Sequence, residues 1–425
     1  MQATKNILSD TKVKLTITAD KGELQKAKEQ ALKRLGKAIK VPGFREGKAP
    51  LNLVEKHLPA SQLQSEFLDL AINELYIEAA TTNKLRPVTQ PEIKIIKFVP
   101  FDTLEISTEV EVIGNITLSD YKKLDIKKQA VSVSAKDVDE TIRQLMYRDA
   151  GKKEVDKTAR KGDEVLIDFS GKDAKSGEVI NGASGKDYPL WLGSDTFIPG
   201  FEDYLIGQKP GSEKSFDLTF PKDYGLKVLQ NRKVTFSVTV KKVLEVKLPV
   251  VDNDFAAKVG PFKTVAELKT DIEKQLLAEK QSQADRKYEN DLVQKLAEGT
   301  KVAIPDSLID EQLEMIEKDE RQNLTYRGRT WQEFLDSEDL DEEGYLKKER
   351  PQAELRVKAG LALAEVAEAE NIKVTREELE SRLELLKKQY TDSQLIAELD
   401  KPESRQNIFN RIVTEKTVNK LIELN

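Results

Sequence analysis

Few side chains in this sequence are equipped for acid–base or nucleophilic chemistry. It has no cysteine and a single histidine, His57. Disulfides, thiolate metal sites and cysteine nucleophiles are excluded, a multi-histidine metal centre is impossible, and a histidine-based triad has no support. Neither metal nor cofactor is expected. Two segments carry the residue types that remain. The first is Gly43-Phe44-Arg45-Glu46-Gly47-Lys48-Ala49-Pro50, preceded by Val41-Pro42. Its glycines and prolines fix an exposed turn. Phe44 offers an apolar anchor, while Arg45 and Lys48 offer charge to an acidic protein or a phosphate. An ordinary interhelical turn with solvated charges is the alternative. The second is Phe197-Ile198-Pro199-Gly200-Phe201-Glu202-Asp203. Upstream lie Val165-Leu166-Ile167-Asp168-Phe169-Ser170-Gly171 and Tyr188-Pro189-Leu190-Trp191-Leu192-Gly193. Downstream lie Phe220-Pro221-Lys222-Asp223-Tyr224-Gly225 and Val234-Thr235-Phe236-Ser237-Val238. Taken alone, Phe169 and Phe236 fit the core of a small β domain as well as they fit a binding pocket.

Distinct elements must position these segments. Residues 1–115 read as an α+β unit: Val13, Leu15 and Ile17 alternate as in a half-buried strand. Asp20 and Glu23 stand at capping-box spacing, ahead of a helical stripe of Leu24, Ala27, Ala31, Leu35 and Ala38. The 41–50 loop follows, then a helix with Phe67, Leu68, Ala71, Leu75 and Ala79 on one face. Strands are predicted over 93–98 and 104–112, with Leu104, Ile106, Thr108, Val110 and Val112 on one side. Residues 116–155 read as a connector with a helix over 135–148. Residues 156–246 concentrate glycine, aromatic and β-branched residues, and strands are predicted over 164–171, 188–193, 215–220 and 233–244. Ser176-Gly177, Asn181-Gly182 and Pro210-Gly211 mark turns, and a short helical turn fits 200–206. Residues 247–425 are almost all helix, with capping boxes at Thr264/Glu267 and Thr375/Glu378, a glycine stop at Gly299 and a helix opened by Pro305. Apolar stripes run through Leu308, Ile309, Leu313 and Ile316, through Leu355, Ala359, Ala362, Leu363 and Val366, and through Leu383, Leu386 and Tyr390.

The 425-residue length suits several domains. Charged residues make up 34%, mean hydropathy is -0.54 and net charge is -6, which argues against a globally basic surface for nucleic acid. The first ten residues lack an apolar signal region, and no apolar run is long enough to span a membrane. A cytoplasmic protein is expected.

The loop motif resembles the signature of the trigger factor family, in which it lies at the tip of the N-terminal domain and docks beside the ribosomal exit tunnel. The order and spacing of the second set of segments resemble the FKBP fold in the variant found within that family. The resemblance covers nearly the whole chain and implies a multidomain α+β architecture. Residues 1–115 would form the ribosome-binding α+β domain. Residues 156–246 would form an FKBP-like antiparallel β domain with one short helix. Residues 247–425, with 116–155 as linker and part of the body, would form an all-α chaperone domain with arms. The element Val302-Ala303-Ile304-Pro305 fits that C-terminal domain.

Carried over position by position, the isomerase pocket would comprise Phe169, Ile180, Tyr188, Phe197, Ile198, Phe201, Tyr224 and Phe236. Phe201 would form the floor, Ile198 would offer its backbone N–H to the peptide, and Tyr224 would flank the opening. The docking residues would be Gly43, Phe44, Arg45, Gly47 and Lys48. Such a pocket needs no acid–base pair, because an aromatic cavity favours the twisted, less polar imide over the planar one. The sequence departs from the family pattern at Glu46, where a basic residue is frequent, at Asn181, where an acidic one is usual, and at Tyr204, where glycine is common. Pro189 falls inside a predicted strand and indicates an edge or a bulge.

By the same resemblance, the partners would be the large ribosomal subunit near the exit tunnel (ribosomal protein and rRNA) and nascent or unfolded polypeptides. No membrane partner is implied, and homodimers off the ribosome are. Clients would meet shallow apolar patches amid many charges. Trp331, Phe334 and Leu335 are expected on an arm, with core packing as the rival. The alternative overall reading is a holdase chaperone with a weak or inactive isomerase domain. A dedicated isomerase whose helices only dimerise or target it, and a ribosome-bound factor without clients, are further rivals.

Overall fold

The computed structural model describes residues 1–45, 47–222, 224, 229–389 and 392–425, with Asn181 and Gly182 described by their backbone alone. Glu46, Asp223, Gly225 and Tyr390 lie outside the described residues, as does the side chain of Asn181. The chain divides into two compact units, one of residues 1–127, 289–331 and 341–425, the other of residues 128–288 and 332–340.

In the first unit, β1 (Gln2–Ser9), β2 (Lys12–Thr18), β3 (Glu92–Val99) and β4 (Thr103–Glu111) form an antiparallel sheet in the order β1-β2-β4-β3. Side chains alternate across the pleat, so Leu15 and Ile17 share one buried face with Leu104, Ile106 and Val110. Helices α1 (Lys21–Gly36), α2 (Leu51–His57) and α3 (Ala60–Thr82) supply Leu24, Ala27, Ala31, Val54, Phe67, Ala71 and Leu75 to the same core. The Asp20/Glu23 capping box forms reciprocally, each bond at 2.9 Å. The helix ends at Gly36, so Ala38 falls beyond the stripe anticipated for it. Strand β1 is absent from the sequence reading because it is an edge strand whose residues are mostly exposed and leave little alternation to read.

The C-terminal helices of this unit are α7 (Asp306–Tyr326), α9 (Glu342–Ala369), α10 (Arg376–Lys387), α11 (Ser393–Leu399) and α12 (Pro402–Leu424). Helices α7 and α9 bury Ile309, Leu313 and Ile316 against Ala353. Residues 114–125 are bound to this helical part. The Gly114 amide donates to the Ala303 carbonyl at 3.1 Å, Thr117 pairs with Lys301, the Tyr121 hydroxyl donates to Glu370 at 2.7 Å, and the Asn425 side chain accepts from the Leu124 amide. Helix α8 (Trp331–Glu338) follows α7 in the sequence, and its residues from 332 on belong to the second unit. Leu335 is buried, Trp331 and Phe334 are half-buried, and Trp331 meets Tyr345 edge-on at 4.9 Å between ring centres.

In the second unit, α4 (Ala135–Arg148) leads into β5 (Gly151–Glu154), β6 (Glu164–Asp173), β7 (Val179–Trp191), β8 (Glu213–Thr219) and β9 (Lys233–Lys247). The sheet is antiparallel in the order β5-β9-β6-β7, and β8 also pairs with β9. The anticipated short helix is a 3-10 turn over Glu202–Tyr204. Asn181 and Gly182 lie inside β7 instead of in a turn, and Pro189 sits on that strand at the sheet edge, where its missing N–H costs no ladder bond. Beyond the sheet, α5 (Asn253–Val259) and the first turns of α6 (Val265–Gly299) bury Phe255, Ala256, Leu268 and Ile272 against Val138 and Ile142 of α4. The Thr264 hydroxyl caps the Glu267 amide at 3.2 Å, but the Glu267 carboxylate turns to the Lys263 amide, so the box is displaced by one residue. Gly299, the last residue of α6, does not adopt a left-handed conformation; a side chain there would strike Ser119 at 2.7 Å.

Candidate active site and docking loop

The loop between α1 and α2 is held at its base and open at its tip. Val41 is buried and its carbonyl accepts from the Phe44 amide at 3.1 Å, and the Arg45 carbonyl accepts from the Lys48 amide at 3.0 Å. Gly43 and Gly47 adopt φ of +85° and +74°, a region that costs an L side chain about 1–2 kcal/mol. The two glycines thus turn the chain so that Phe44, Arg45 and Lys48 all face solvent, Phe44 at 42% exposure. Among the described residues, no carboxylate lies within salt-bridge distance of Arg45 or Lys48. Among the described residues, then, the loop presents an exposed phenyl ring and two cations to solvent.

A cavity of about 390 Å³ opens on the β7 side of the second unit. Of the eight pocket residues anticipated, Phe169, Tyr188, Phe197, Ile198, Tyr224 and Phe236 line it. Phe201 is fully buried and backs the lining, with its ring 4.3 Å from that of Phe197 and 5.2 Å from that of Phe236. Ile180 is buried in the same core and does not line the cavity. Phe169, Tyr188 and Phe197 meet edge to face at 5.4–5.9 Å, the geometry that aromatic quadrupoles favour. Tyr224 packs against Phe220 at 4.6 Å, and its carbonyl accepts from Gln230. Among the described residues the lining holds no carboxylate, lysine, arginine or histidine. Ala183, Thr196, Pro199, Phe220 and Pro221 also line it; Pro199, Phe220 and Pro221 stand in the motif segments without having been anticipated as pocket residues.

A buried carboxylate below the cavity escaped sequence reasoning altogether. Glu202 is 8% exposed and accepts from the Gly193 amide, the Ser194 amide at 3.2 Å, the Ser194 hydroxyl at 3.1 Å and the Thr196 amide at 3.2 Å. Its two oxygens thus tie down the segment that leads into Phe197. A buried ion is tolerated when its lone pairs are this fully engaged. The position of an acidic residue directly after Phe201 was the available signal. Tyr204 stacks on Phe216 at 4.3 Å, which accounts for an aromatic residue at that position. At the bulge between β6 and β7, the Asp187 amide and then Lys241 hold the Asp168 carboxyl below its usual range.

Among the described residues this is an apolar, aromatic cavity set beside an antiparallel sheet. Residues 155–241 match the FKBP-type peptidyl-prolyl cis-trans isomerase family. Residues 1–145 match the bacterial trigger factor protein family, and residues 264–423 match its C-terminal family. Among similar curated proteins, trigger factor of Carboxydothermus hydrogenoformans is 35% identical, with alignment over 100% of this chain and 99% of its own. Trigger factor of Halothermothrix orenii is 32% identical over the same shares. A solved structure from work on promiscuous substrate recognition by the trigger factor chaperone aligns over 100% of this chain and 99% of its own, at 21% identity and a TM-score of 0.47. The chain belongs to the trigger factor family.

Proposed function

We propose that this protein docks on the large ribosomal subunit near the exit tunnel, binds nascent and unfolded polypeptides there, and isomerises their X–Pro bonds. The observation that carries the isomerase reading is the aromatic cavity, whose lining among the described residues holds no carboxylate, amine or imidazole. An X–Pro bond crosses a barrier near ~20 kcal/mol, and at the top its amide resonance is lost. A twisted imide is less polar than a planar one, so a dry ring-lined cavity favours it. Among the described residues the Ile198 amide has no recorded acceptor, and it stands at the cavity wall where a substrate carbonyl would take it. The same site residues serve as proposed: Phe169, Tyr188, Phe197, Ile198, Tyr224 and Phe236 at the wall, Phe201 behind it.

The exposed trio Phe44, Arg45 and Lys48 supports docking on ribosomal protein and rRNA, since an apolar anchor followed by two cations suits a surface that is part protein and part phosphate. Residues 1–115 then act as the docking domain, 156–246 as the isomerase, and 116–155 with 247–425 as the client-holding body. Among the described residues no helix is long and apolar enough to cross a membrane. A cytoplasmic location follows from the proposed partner, and a second copy would cover the same apolar tip off the ribosome.

Two measurements on the full-length chain test this. A protein whose refolding is limited by a proline shows a phase of tens to hundreds of seconds. The wild type should accelerate it, and Phe197→Ala should not. Wild type should also co-sediment with bacterial ribosomes, while the Phe44/Arg45/Lys48 triple-alanine variant stays in solution. No acceleration by wild type removes the isomerase; pelleting by neither protein removes the ribosomal role.

A further inference from the structure

Two bulges flank the same stretch of β6, one on each neighbouring strand. On β7, Tyr188 pairs with Ile167 and Gly185 with Phe169, so Lys186 and Asp187 together oppose Asp168. On β9, Lys242 pairs with Leu166 and Val240 with Ile167, which leaves Lys241 as the extra residue. A bulge re-aims the side chains beside it. A regular ladder continued from the Tyr188–Ile167 pair would bring Lys186 opposite Phe169; the bulge brings Gly185 there instead. The cavity depends on that exchange, because a side chain at position 185 would stand 2.6 Å from Phe169 Cε1. The Phe169 ring thus rests on Gly185, and Tyr188, just past the bulge, meets the same ring edge-on at 5.9 Å between centres. Both rings line the cavity.

One ion cluster joins the two bulges across β6. Asp168 lies between Ile167 and Phe169, which face the core, so its carboxylate stands on the other face of the strand. The Asp187 amide donates to one of its oxygens at 2.7 Å. The other oxygen lies 2.9 Å from Lys241 Nζ, which also donates to the Asp187 carboxylate at 2.7 Å. Asp187 itself holds φ of +52°, a left-handed conformation that an L residue adopts only where its surroundings impose it. We infer that Asp168, Asp187 and Lys241 are positioning residues of the isomerase site: the Lys241 ammonium ties the β9 bulge to the β7 bulge and so fixes Tyr188 against Phe169 at the cavity wall. This rests on the isomerase reading of that cavity. None of the three lines it, so each acts through the rings. Their side chains are 31–64% exposed, and exposed ion pairs add little to stability. The cluster therefore governs the geometry of the wall, while the buried core behind it governs whether the domain folds.

The test uses the full-length chain in four forms. Lys241→Met removes the ammonium and keeps the stem, Lys241→Arg restores a cation, and Lys242→Met removes the neighbouring lysine with its 2.8 Å pair to Glu154. Wild type is the reference. Isomerisation of a short proline peptide is followed by exchange NMR, which separates kcat from KM. Lys241→Met should lower kcat about five- to tenfold and leave KM within about twofold, the effect of a wall displaced by less than about 1 Å. Lys241→Arg should recover most of that loss, and Lys242→Met should match wild type. The unfolding midpoint of this unit should stay within about 3 °C across the series. The wall is read without catalysis from the proton–carbon signals of the tyrosine rings, with Tyr188 assigned by its absence in Tyr188→Phe. Lys241→Met should move the Tyr188 signal and Lys242→Met should not. A kcat for Lys241→Met within about twofold of wild type, an equal loss in Lys242→Met, no recovery in Lys241→Arg, or an unmoved Tyr188 signal overturns the proposal. If wild type turns over no proline peptide while the Tyr188 signal moves in Lys241→Met alone, the isomerase reading fails and the positioning of the wall by the ion cluster stands; if the signal is unmoved as well, the cluster fails with it.

Discussion

Replacing Glu202 by glutamine should disable the isomerase site without touching a residue that lines it. In the native protein two carboxylate oxygens receive the amides of Gly193, Ser194 and Thr196 and the hydroxyl of Ser194. Glutamine fits the same volume but has one oxygen. The least damaging arrangement points its NH₂ group at Ser194 Oγ, whose hydroxyl can reverse, and at the Thr196 amide, which cannot. One buried N–H is then unpaired, and the bonds to the remaining oxygen lose their charge. An orphaned buried donor costs about 1–3 kcal/mol and each lost charge-assisted bond adds to it, so about 2–4 kcal/mol is expected. For a domain of this size that corresponds to a fall of about 8 °C or more in the unfolding midpoint. The chain has two tryptophans, and in a Trp331→Phe background the fluorescence of Trp191 follows this unit alone. The freed segment carries Thr196 and Phe197 to the cavity, and a wall misplaced by about 1 Å can cost up to a hundredfold in rate, so kcat/KM should fall about ten- to a hundredfold. The loss should fall on kcat more than on KM, because the rings that bind proline remain. A midpoint within about 2 °C of the parent together with kcat/KM within about twofold would refute the clamp, since both lie below the cost of one orphaned donor.

Other consequences are simpler to test. Gly185→Ala would place a methyl 2.6 Å from Phe169 Cε1, so the ring must rotate, and peptide isomerisation should fall while ribosome pelleting is unchanged. Gly43 has open space around it but φ of +85°, so Gly43→Ala should leave isomerisation intact and weaken ribosome co-sedimentation by about five- to thirtyfold, the equivalent of about 1–2 kcal/mol of backbone strain. Lys280, then the Ser134 amide and hydroxyl, pull the Asp137 carboxyl down from 3.8 to about 2. A depressed pKa contributes stability that is present above 3.8 and lost as pH falls through about 2, so Asp137→Asn should flatten the acid limb of stability in that window, read by α4 hydrogen exchange. With no carboxylate, lysine or histidine in the cavity lining among the described residues, kcat/KM should stay flat between about pH 6 and about 8; a bell-shaped profile would point to a general acid or base instead.

What could be read from the sequence was what local chemistry decides. The reciprocal capping boxes at Asp20/Glu23 and Thr375/Glu378 form as their spacing requires, because both partners lie within one helical turn. Alternation from Leu104 to Val112 identified the buried face of β4, since a central strand with one wet face must alternate. Strand β1 and the first half of β7 were illegible for the opposite reason. Both lie at sheet edges, most of their side chains are solvated, and their pairing is decided by β2 and β6 rather than by their own pattern. The connector over 116–155 concealed a division: residues up to 127 belong with the C-terminal helices and α4 with the isomerase sheet, a matter of tertiary contact that composition does not encode.

The site divides along the same line. The cavity residues are reached through the family resemblance, position by position: Phe169 lies within β6, Phe197 and Tyr224 between elements and Phe236 near the start of β9, and their types alone fit a domain core equally well. Ile180 is an aliphatic residue among many and is buried in the same cluster as Ile198 and Phe236, so neither type nor burial sorts wall from core. Glu202 was harder still. Acidic residues are abundant here, and only the fold reveals that this one faces inward onto four donors. Tyr147 and Trp191 lie 44 residues apart and become a stack only because α4 returns to the β7 edge. The resemblance carries the residues of the wall over position by position. Side chains that hold those in place need only the right neighbour, and that neighbour is assigned by the fold.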